Sequence, residues 1–332
     1  MGTELLPWQQ PLWDSLAGRP QQAHAYLLHG PAGSGKRQLA NRLAQWLLCR
    51  EPAAQGACGQ CSACKLYRAG SHPDLFVLEP EEEGKSILIG DVRTLVASIQ
   101  QTAQQGGRKV IILEPAESMV VNAANALLKS LEEPGAGTVF LLLSGQPSFL
   151  LPTIKSRCVL QACPLPALEQ AVAWLAGQQP DYSDEQRSLL LQLAGGSPLL
   201  ALEHARNAVI QQRAEVVEGV KQLIKRQASP VELATRWAKL PPVLLLEWFA
   251  SWCQLMLRYR LTQNEADLGL ADMQPVLKYA AGFIENDACL QLHAWILERR
   301  VKLLRRAPLR QDLLLESLLV QWLQLVRPSG RS

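Results

Sequence analysis

The stretch "HGPAGSGKRQ", His29 to Gln38, decides how the first half of the chain folds. It follows a short apolar segment and opens a helical one, which is the context of a phosphate-binding loop. Gly30, Gly35 and Lys36 satisfy the pattern GxxxxGK[ST], but Arg37 stands where the pattern has Ser or Thr. Such glycines let backbone N–H groups approach a phosphate at a helix N-terminus. The stretch therefore predicts an α/β domain built around a P-loop.

Arg37 raises the question of whether this loop can hydrolyse a nucleotide. In P-loop enzymes the hydroxyl at this position holds Mg²⁺, and an acidic residue at a strand end also positions the metal. Here "KVIILEPAES" supplies Glu114 followed by Pro115, which cannot act as a base. Because phosphoryl transfer depends on positioning and charge neutralisation, we expect negligible hydrolysis. Binding of a phosphate or nucleotide stays open, and its candidate residues are Gly30, Gly33, Gly35 and Lys36.

Outward from the loop, strand-like segments alternate with helical ones up to about residue 165. "RKVIILEP" and "TVFLLLSG" are continuous apolar runs, which are typical of buried parallel strands. Strands that alternate with helices imply a parallel sheet. After Pro166 the strand signals stop. The prediction is an α/β plus all-α chain with an α/β domain over 1–165, a small helical unit over 166–206 and a helical domain over 207–332.

Composition narrows the functional class. The chain has 332 residues and a formal net charge of +3, so a uniform polycation that coats nucleic acid is not expected. Its N-terminus lacks the basic and apolar regions of a secretory signal. The longest apolar stretch, Val243 to Leu257, is interrupted by polar residues and is too short to span a bilayer. We therefore expect a cytoplasmic protein with no membrane partner.

Eight cysteines are present, and disulfides are disfavoured in a reducing compartment. Four are scattered and are expected to be small buried residues: Cys158, Cys163, Cys253 and Cys289. Four are clustered with spacing Cys-x8-Cys-x2-Cys-x2-Cys: Cys49, Cys58, Cys61 and Cys64. This spacing predicts a closed, structural Zn²⁺ site within a module over about 49–72, with an iron–sulfur cluster or reduced thiols as alternatives. His72 is a further candidate ligand, although a local hydrogen bond is its more ordinary role.

The segment "IKSRC" places Arg157 beside a predicted domain boundary. Taken alone, this arginine is expected to form a salt bridge that fixes the angle between domains.

Taken together, several segments resemble the clamp-loader branch of the AAA+ ATPases, in particular the subunits of bacterial DNA polymerase III. They are "HGPAGSGKR", the four-cysteine module, "GSHPDL", "NAANALLKSLEEP", "SRC" and "LLLESLLVQWL". The resemblance spans nearly the whole chain, and "NALLKSLEEP" followed by "SRC" is its most specific part. It implies a RecA-like AAA+ domain with a zinc-module insertion, a small helical lid and a C-terminal helical collar.

The resemblance also implies a function in DNA replication. Clamp loaders are five-subunit rings, here with motor subunits (gamma/tau) and a delta subunit as partners, that load the sliding clamp on primed DNA. Members with a degenerate ATPase site act as a non-catalytic stator within the polymerase holoenzyme. In this family the Ser-Arg-Cys arginine reaches ATP held by a neighbour, so Arg157 is expected to be an arginine finger in trans. Leu199 stands where motor subunits carry a nucleotide-sensing arginine, which agrees with a degenerate site.

Two other functions stay open from the sequence. Intact Lys36 allows an autonomous P-loop ATPase, and the cysteine cluster allows a zinc-dependent DNA-binding module. The segment "LERRVKLLRRAPLR", with its basic cluster Arg299 to Arg310, could contact DNA phosphates. A solvated helix face or ion pairs are the more ordinary roles of that cluster.

Overall fold

The computed structural model describes residues 4–82, 84–105, 107–305 and 307–326. The chain divides into two compact units, Met1–Asn207 and Ala208–Ser332. The first unit contains the predicted α/β domain together with the helices over 166–206. A separate lid within that unit remains a prediction.

The first unit is built on a five-stranded parallel sheet with strand order β2-β3-β4-β1-β5. Every residue of the central strands β3 and β4 is buried, which agrees with their continuous apolar sequences. The sheet confirms the predicted α/β fold class and its P-loop topology. The strands are β1 (Ala25–His29), β2 (Leu75–Leu78), β3 (Lys109–Leu113), β4 (Thr138–Ser144) and β5 (Val159–Ala162).

Helices cover both faces of the sheet and form two apolar cores. Leu95 and Leu127 belong to the core on one face, and Trp13 and Leu39 belong to the core on the other. The helices of the first unit are α1 (Gln10–Ala17), α2 (Lys36–Leu48), α3 (Ser62–Arg68), α4 (Ile89–Ile99), α5 (Val121–Glu132), α6 (Pro152–Lys155), α7 (Leu168–Gln178), α8 (Asp184–Leu193) and α9 (Pro198–Arg206).

The topology brings distant loops to one edge of the sheet. Because all five strands are parallel, the segments that follow β1, β2, β3 and β4 meet at their carboxyl ends. β1 lies between β4 and β5, so the loop after β1 sits where the chain order reverses, which is the usual ligand position in open parallel sheets. That loop is the predicted P-loop.

The second unit is helical throughout its described elements, as predicted. Its core includes the mutually packed aromatic rings of Phe249, Trp252 and Trp322. In the described part of the chain, no helix has both the length and the apolar character needed to cross a membrane. The helices of this unit are α10 (Val209–Ile224), α11 (Pro230–Arg236), α12 (Pro242–Thr262), α13 (Gln274–Ala281), α14 (Asn286–Leu304) and α15 (Gln311–Leu325).

Candidate functional site

The P-loop glycines are packed against other parts of the first unit. Gly33 has a φ of +70°, and a Cβ added to it would lie 2.2 Å from the Ser197 Oγ and 2.7 Å from the Leu200 backbone nitrogen. Ser197 is the N-cap of α9, so this glycine contacts a helix start from the predicted lid. A residue with a Cβ would be strained in this left-handed conformation and would overlap both neighbours.

The chain segment before α1 closes the other side of the loop. The Gln9 amide nitrogen donates to the Gly35 carbonyl at 2.6 Å, and the Trp8 indole N–H donates to the Ser34 carbonyl at 3.0 Å. A Cβ on Gly35 would lie 2.5 Å from the same Gln9 nitrogen. No periodic pattern in the sequence predicts this support, because it comes from single side chains in a short 3₁₀ turn, Pro7–Gln9.

Lys36 is turned back onto its own loop. Its ammonium donates to the carbonyls of Gly30 at 2.9 Å and Pro31 at 2.8 Å. Burial lowers the pKa of this lysine, and the nearby Cys163, Glu114 and Glu117 partly oppose that shift. The side chain that would hold a nucleotide phosphate is thus engaged with backbone oxygens.

Arg37 forms ion pairs with two carboxylates at the same sheet edge, Glu79 after β2 and Glu114 after β3. Burial raises the pKa of Glu114, while Arg37 and Lys36 partly offset that rise. Glu114 is the acidic residue at the end of β3, where P-loop enzymes position their metal. An arginine therefore supplies the positive charge beside it.

Glu117 is directed at backbone groups. Its Oε1 accepts hydrogen bonds from the N–H groups of Gly145 at 2.9 Å and Gln146 at 3.1 Å, just after β4. The carboxylate links two loops at the sheet edge, so this residue has a structural role in addition to any effect on the charge of the site.

The four clustered cysteines converge. Their ligand atoms all lie within 4.8 Å of one another, and the Cys49 and Cys61 sulfurs are 3.9 Å apart. Zn–S bonds of about 2.3 Å in a tetrahedron require sulfurs roughly 3.8 Å apart, so the arrangement fits such a site. Burial opposes ionisation of Cys61, but hydrogen bonds from the backbone N–H groups of Arg50 and Cys64 lower the pKa of its thiol to about 6.

The cysteine module is attached to α2 and α1 by side chains that donate to backbone carbonyls. The Tyr67 hydroxyl donates to the Asn41 carbonyl at 2.9 Å, and the Trp46 indole donates to the Ala53 carbonyl at 2.8 Å. The Trp13 indole donates to the Ala54 carbonyl at 3.1 Å. Tyr67 also belongs to the apolar core on this face of the sheet, so the module is attached by both polar and apolar contacts.

His72 does not join the cysteine group. Its Nδ1 accepts a hydrogen bond from the Asp74 backbone N–H at 3.1 Å, which is the local role expected from the sequence. The Asp74 carboxylate accepts from the N–H groups of Gln104 at 2.7 Å and Gln105 at 2.9 Å. The "GSHPDL" segment therefore ties the module to the loop before β3.

Arg157 follows α6 and lies at the surface, where its side chain is 30% exposed. The guanidinium forms an ion pair with Glu132 at the end of α5 and donates to the Thr153 carbonyl at 2.8 Å. The salt bridge expected from the sequence thus exists, but it lies within the α/β part of the first unit.

The remaining predicted residues have ordinary partners. The four scattered cysteines are buried, as predicted. In the basic segment, Arg299 and Lys302 pair with Glu298, and Arg300 pairs with Glu247. Arg306 lies outside the described residues. These contacts favour intramolecular ion pairs as the role of the described cluster members.

Comparison with known proteins identifies the family. Residues 10–165 match the family described as "DNA polymerase III, delta subunit", and residues 207–324 match "DNA polymerase III, delta subunit, C terminal". The DNA polymerase III subunit delta' of Pseudomonas aeruginosa is 56% identical over 325 residues, covering 98% of this chain and 99% of that protein. The chain belongs to the DNA polymerase III delta-prime family. Its members are clamp-loader subunits that work with other clamp-loader subunits in DNA replication.

A relative from a second organism agrees with this assignment. The delta' subunit of Yersinia pestis is 33% identical over 325 residues, covering 95% of this chain and 94% of that protein. Among solved structures, a DNA polymerase III gamma-subunit-related protein of Thermotoga maritima aligns with a TM-score of 0.46 at 20% identity, covering 96% of this chain and 100% of that one.

Proposed function

We propose that this delta-prime family chain is a non-catalytic stator subunit of the clamp loader, and that it offers Arg157 to the ATP site of a neighbouring motor subunit. The observation that carries the first part is the Arg37 ion pair with Glu79 and Glu114. Mg²⁺ at a P-loop needs a hydroxyl ligand and an accessible carboxylate, and here a guanidinium pairs with that carboxylate. With Pro115 in place of a base, the position after Glu114 offers no group that activates water.

The surface around Arg157 supports the second part of the proposal. β5 is an edge strand of the sheet, and its Val159 and Leu160 are large apolar residues exposed by 40% and 54%. An exposed apolar edge next to an arginine is suited to a subunit interface. In the ring, the Arg157 guanidinium would exchange Glu132 for the phosphates of a neighbour's nucleotide.

The decisive experiment measures ATP turnover by the assembled complex. Arg157→Ala is expected to lower turnover at the site it serves by roughly 10³–10⁵, the range known for arginine fingers. Lys155→Ala removes the same charge from the same segment and should leave turnover nearly unchanged. Glu132→Ala releases the arginine from its ion pair and should not lower the rate.

Either of two results would contradict the proposal. One is equal loss in Arg157→Ala and Lys155→Ala, and the other is loss of assembly in Arg157→Ala, since a finger is not needed for the ring to form. Metal-dependent hydrolysis by the isolated chain would revive the autonomous ATPase.

The proposed resident metal is Zn²⁺, held by Cys49, Cys58, Cys61 and Cys64. Four thiolates leave no open position on a tetrahedral metal, so its role is to stabilise the module. The proposed partners are the gamma/tau and delta subunits in a hetero-pentameric ring, with the sliding clamp and primed DNA reached through the complex. The proposed location is the cytoplasm.

A further inference from the structure

A cavity of about 320 Å³ lies between α14 and α15 in the second unit. Its wall includes three leucines, Leu309, Leu313 and Leu314. Leu313 is 52% exposed, and Val320, two turns further along α15, is 38% exposed. Residues seven positions apart share one face of a helix, so an open apolar surface extends from the cavity along α15.

The two charged residues of the wall are both arginines. The Arg299 guanidinium lies over the Trp295 ring, 5.1 Å from its centroid, and donates to Glu298 at 2.9 Å. Arg310 donates from Nε and one terminal nitrogen to the two oxygens of Asp312, at 3.2 and 2.5 Å. A guanidinium has five N–H donors. Among the described residues, each arginine therefore keeps N–H groups for a further acceptor.

The charge around the cavity is positive. All the lining residues fall within 295–321, a stretch with six basic residues and three acidic ones. One of the basic residues pairs with Glu247 of α12, which still leaves cations in excess. Glu298 is shared by Lys302 and Arg299. The hydrogen bond from Lys302 and the charge of Arg299 lower the pKa of Glu298, as expected for a carboxylate in positive surroundings.

The apolar wall favours a protein segment over a nucleic acid as the ligand. Phosphates would meet the cations but would leave the three leucines without a partner. The Arg299 guanidinium already covers a face of Trp295, so that face is not open for a base to stack on. A large apolar side chain would contact the leucines, and carboxylates beside it would meet the cations. Exposed apolar surface with a polar rim is typical of protein interaction sites.

We propose that this cavity is a docking site for a segment of a partner protein in which a leucine or phenylalanine is flanked by acidic residues. The apolar side chain contacts Leu309 and Leu313, and the flanking carboxylates accept hydrogen bonds from Arg299 and Arg310. Complementary charge speeds such an association and makes it sensitive to salt. The site lies within the second unit and shares no residue with the P-loop, the cysteine module or the segment of Arg157.

The test selects ligands for the zinc-loaded full chain from a phage-displayed library of random peptides. The enriched peptides should carry net negative charge and at least one large apolar residue. A fluorescein-labelled copy of the most enriched peptide is then titrated by anisotropy. Leu313→Asp should weaken its binding by about tenfold or more, because it places a charge of the peptide's own sign at the cavity. Leu261→Asp is the matched control and should bind like the parent, because Leu261 is 82% exposed on α12 and outside the cavity.

A second pair of variants tests the role of charge. Arg310→Ala should weaken binding by about threefold or more and reduce its dependence on salt, since a cation at the interface is lost. Arg258→Ala is the control and should bind like the parent. Like Arg310, Arg258 is an exposed arginine paired with one aspartate, Asp267, but it lies outside the cavity.

Three results of the selection would overturn the proposal. They are enriched peptides without an excess of acidic residues, equal binding by Leu313→Asp and Leu261→Asp, and no enrichment once peptides that also bind Leu313→Asp are removed. Two further results would overturn it by naming another occupant. A single-stranded oligonucleotide that binds more tightly than the peptide and is lost in Leu313→Asp assigns the surface to nucleic acid. Self-association of the parent chain that is lost in Leu313→Asp assigns it to a second copy.

Discussion

The P-loop and the cysteine module lie at the two ends of one helix, α2. The cysteine module keeps the arrangement of ligands that its sequence motif predicts, whereas the charged side chains of the P-loop contact the protein itself. At the C-terminal end Cys49 is the helix cap, and its sulfur converges with three others into a group that fits a metal. At the N-terminal end Lys36 and Arg37 turn to the chain's own carbonyls and carboxylates. A motif in a sequence therefore predicts backbone geometry more safely than it predicts a ligand.

The largest effect is expected from breaking the cysteine module. Cys61→Ser removes one of the four thiolate ligands and should abolish stoichiometric zinc binding. Stability should fall as well, because a structural zinc site supplies roughly 10–16 kcal/mol of folding free energy in small modules. The melting temperature of the zinc-loaded chain should fall by about 10 °C or more. Metal analysis and calorimetry measure both quantities. Cys289→Ala, in the second unit, should keep its zinc, and a metal-free Cys61→Ser that melts like the parent would show that the cluster holds nothing structural.

A matched pair of glycines separates the free-energy cost of packing at the P-loop from the cost of its backbone conformation. Gly33 and Gly70 have φ values of +70° and +71°, but only Gly33 has neighbours where a Cβ would lie. Alanine at either should cost about 1–2 kcal/mol for the left-handed backbone. Gly33→Ala should cost a further ~1–3 kcal/mol for overpacking against Ser197 and Leu200. Equal losses in denaturant unfolding would show that the contacts of Gly33 with Ser197 and Leu200 do not limit what fits there.

Restoring the motif should not restore hydrolysis. Arg37→Thr completes the pattern GxxxxGK[ST], but Pro115 still offers no base, so Mg²⁺-dependent ATP turnover should stay at background. Loss of the half-exposed ion pairs should change the free energy of unfolding by about 1 kcal/mol or less. Arg37→Ala is the control that lacks the hydroxyl. Turnover by the Thr variant alone would mean that Arg37 was the sole obstacle.

The smallest effect is a pH dependence at Lys36. Burial lowers the pKa of this lysine in the folded chain from its ordinary 10.5, so the unfolded chain binds the proton more tightly. The free energy of unfolding should therefore rise with pH between the lowered value and 10.5. Lys36→Met should lack this contribution. If the free energy of unfolding changed with pH in the same way in Lys36→Met and in the parent chain, burial of the Lys36 ammonium would not be destabilising the fold.

The features that the sequence predicts correctly are local. The apolar runs of β3 and β4, the loop between β1 and α2 and the spacing of the cysteines are each read within a few consecutive residues, and the structure confirms the strands, the loop position and the convergence of the four thiols. The partners of Arg37 were not predicted. Glu79 and Glu114 follow two other strands, and only the strand order brings them to the arginine. Similarly, Gln9 reaches Gly35 from a segment that has no periodicity.

The close packing of the P-loop has a consequence for how such a motif persists through descent. Gly33 rests on the N-cap of a neighbouring helix, and Gly35 receives a side chain from the start of the chain. A lineage that stopped using ATP would still lose folded protein with each change at these positions, because the selection acts on folding. The glycines can therefore remain after ATP hydrolysis has been lost, whereas the residue at position 37 is free to change. An ATPase sequence signature is for this reason most informative at the residues that folding does not need.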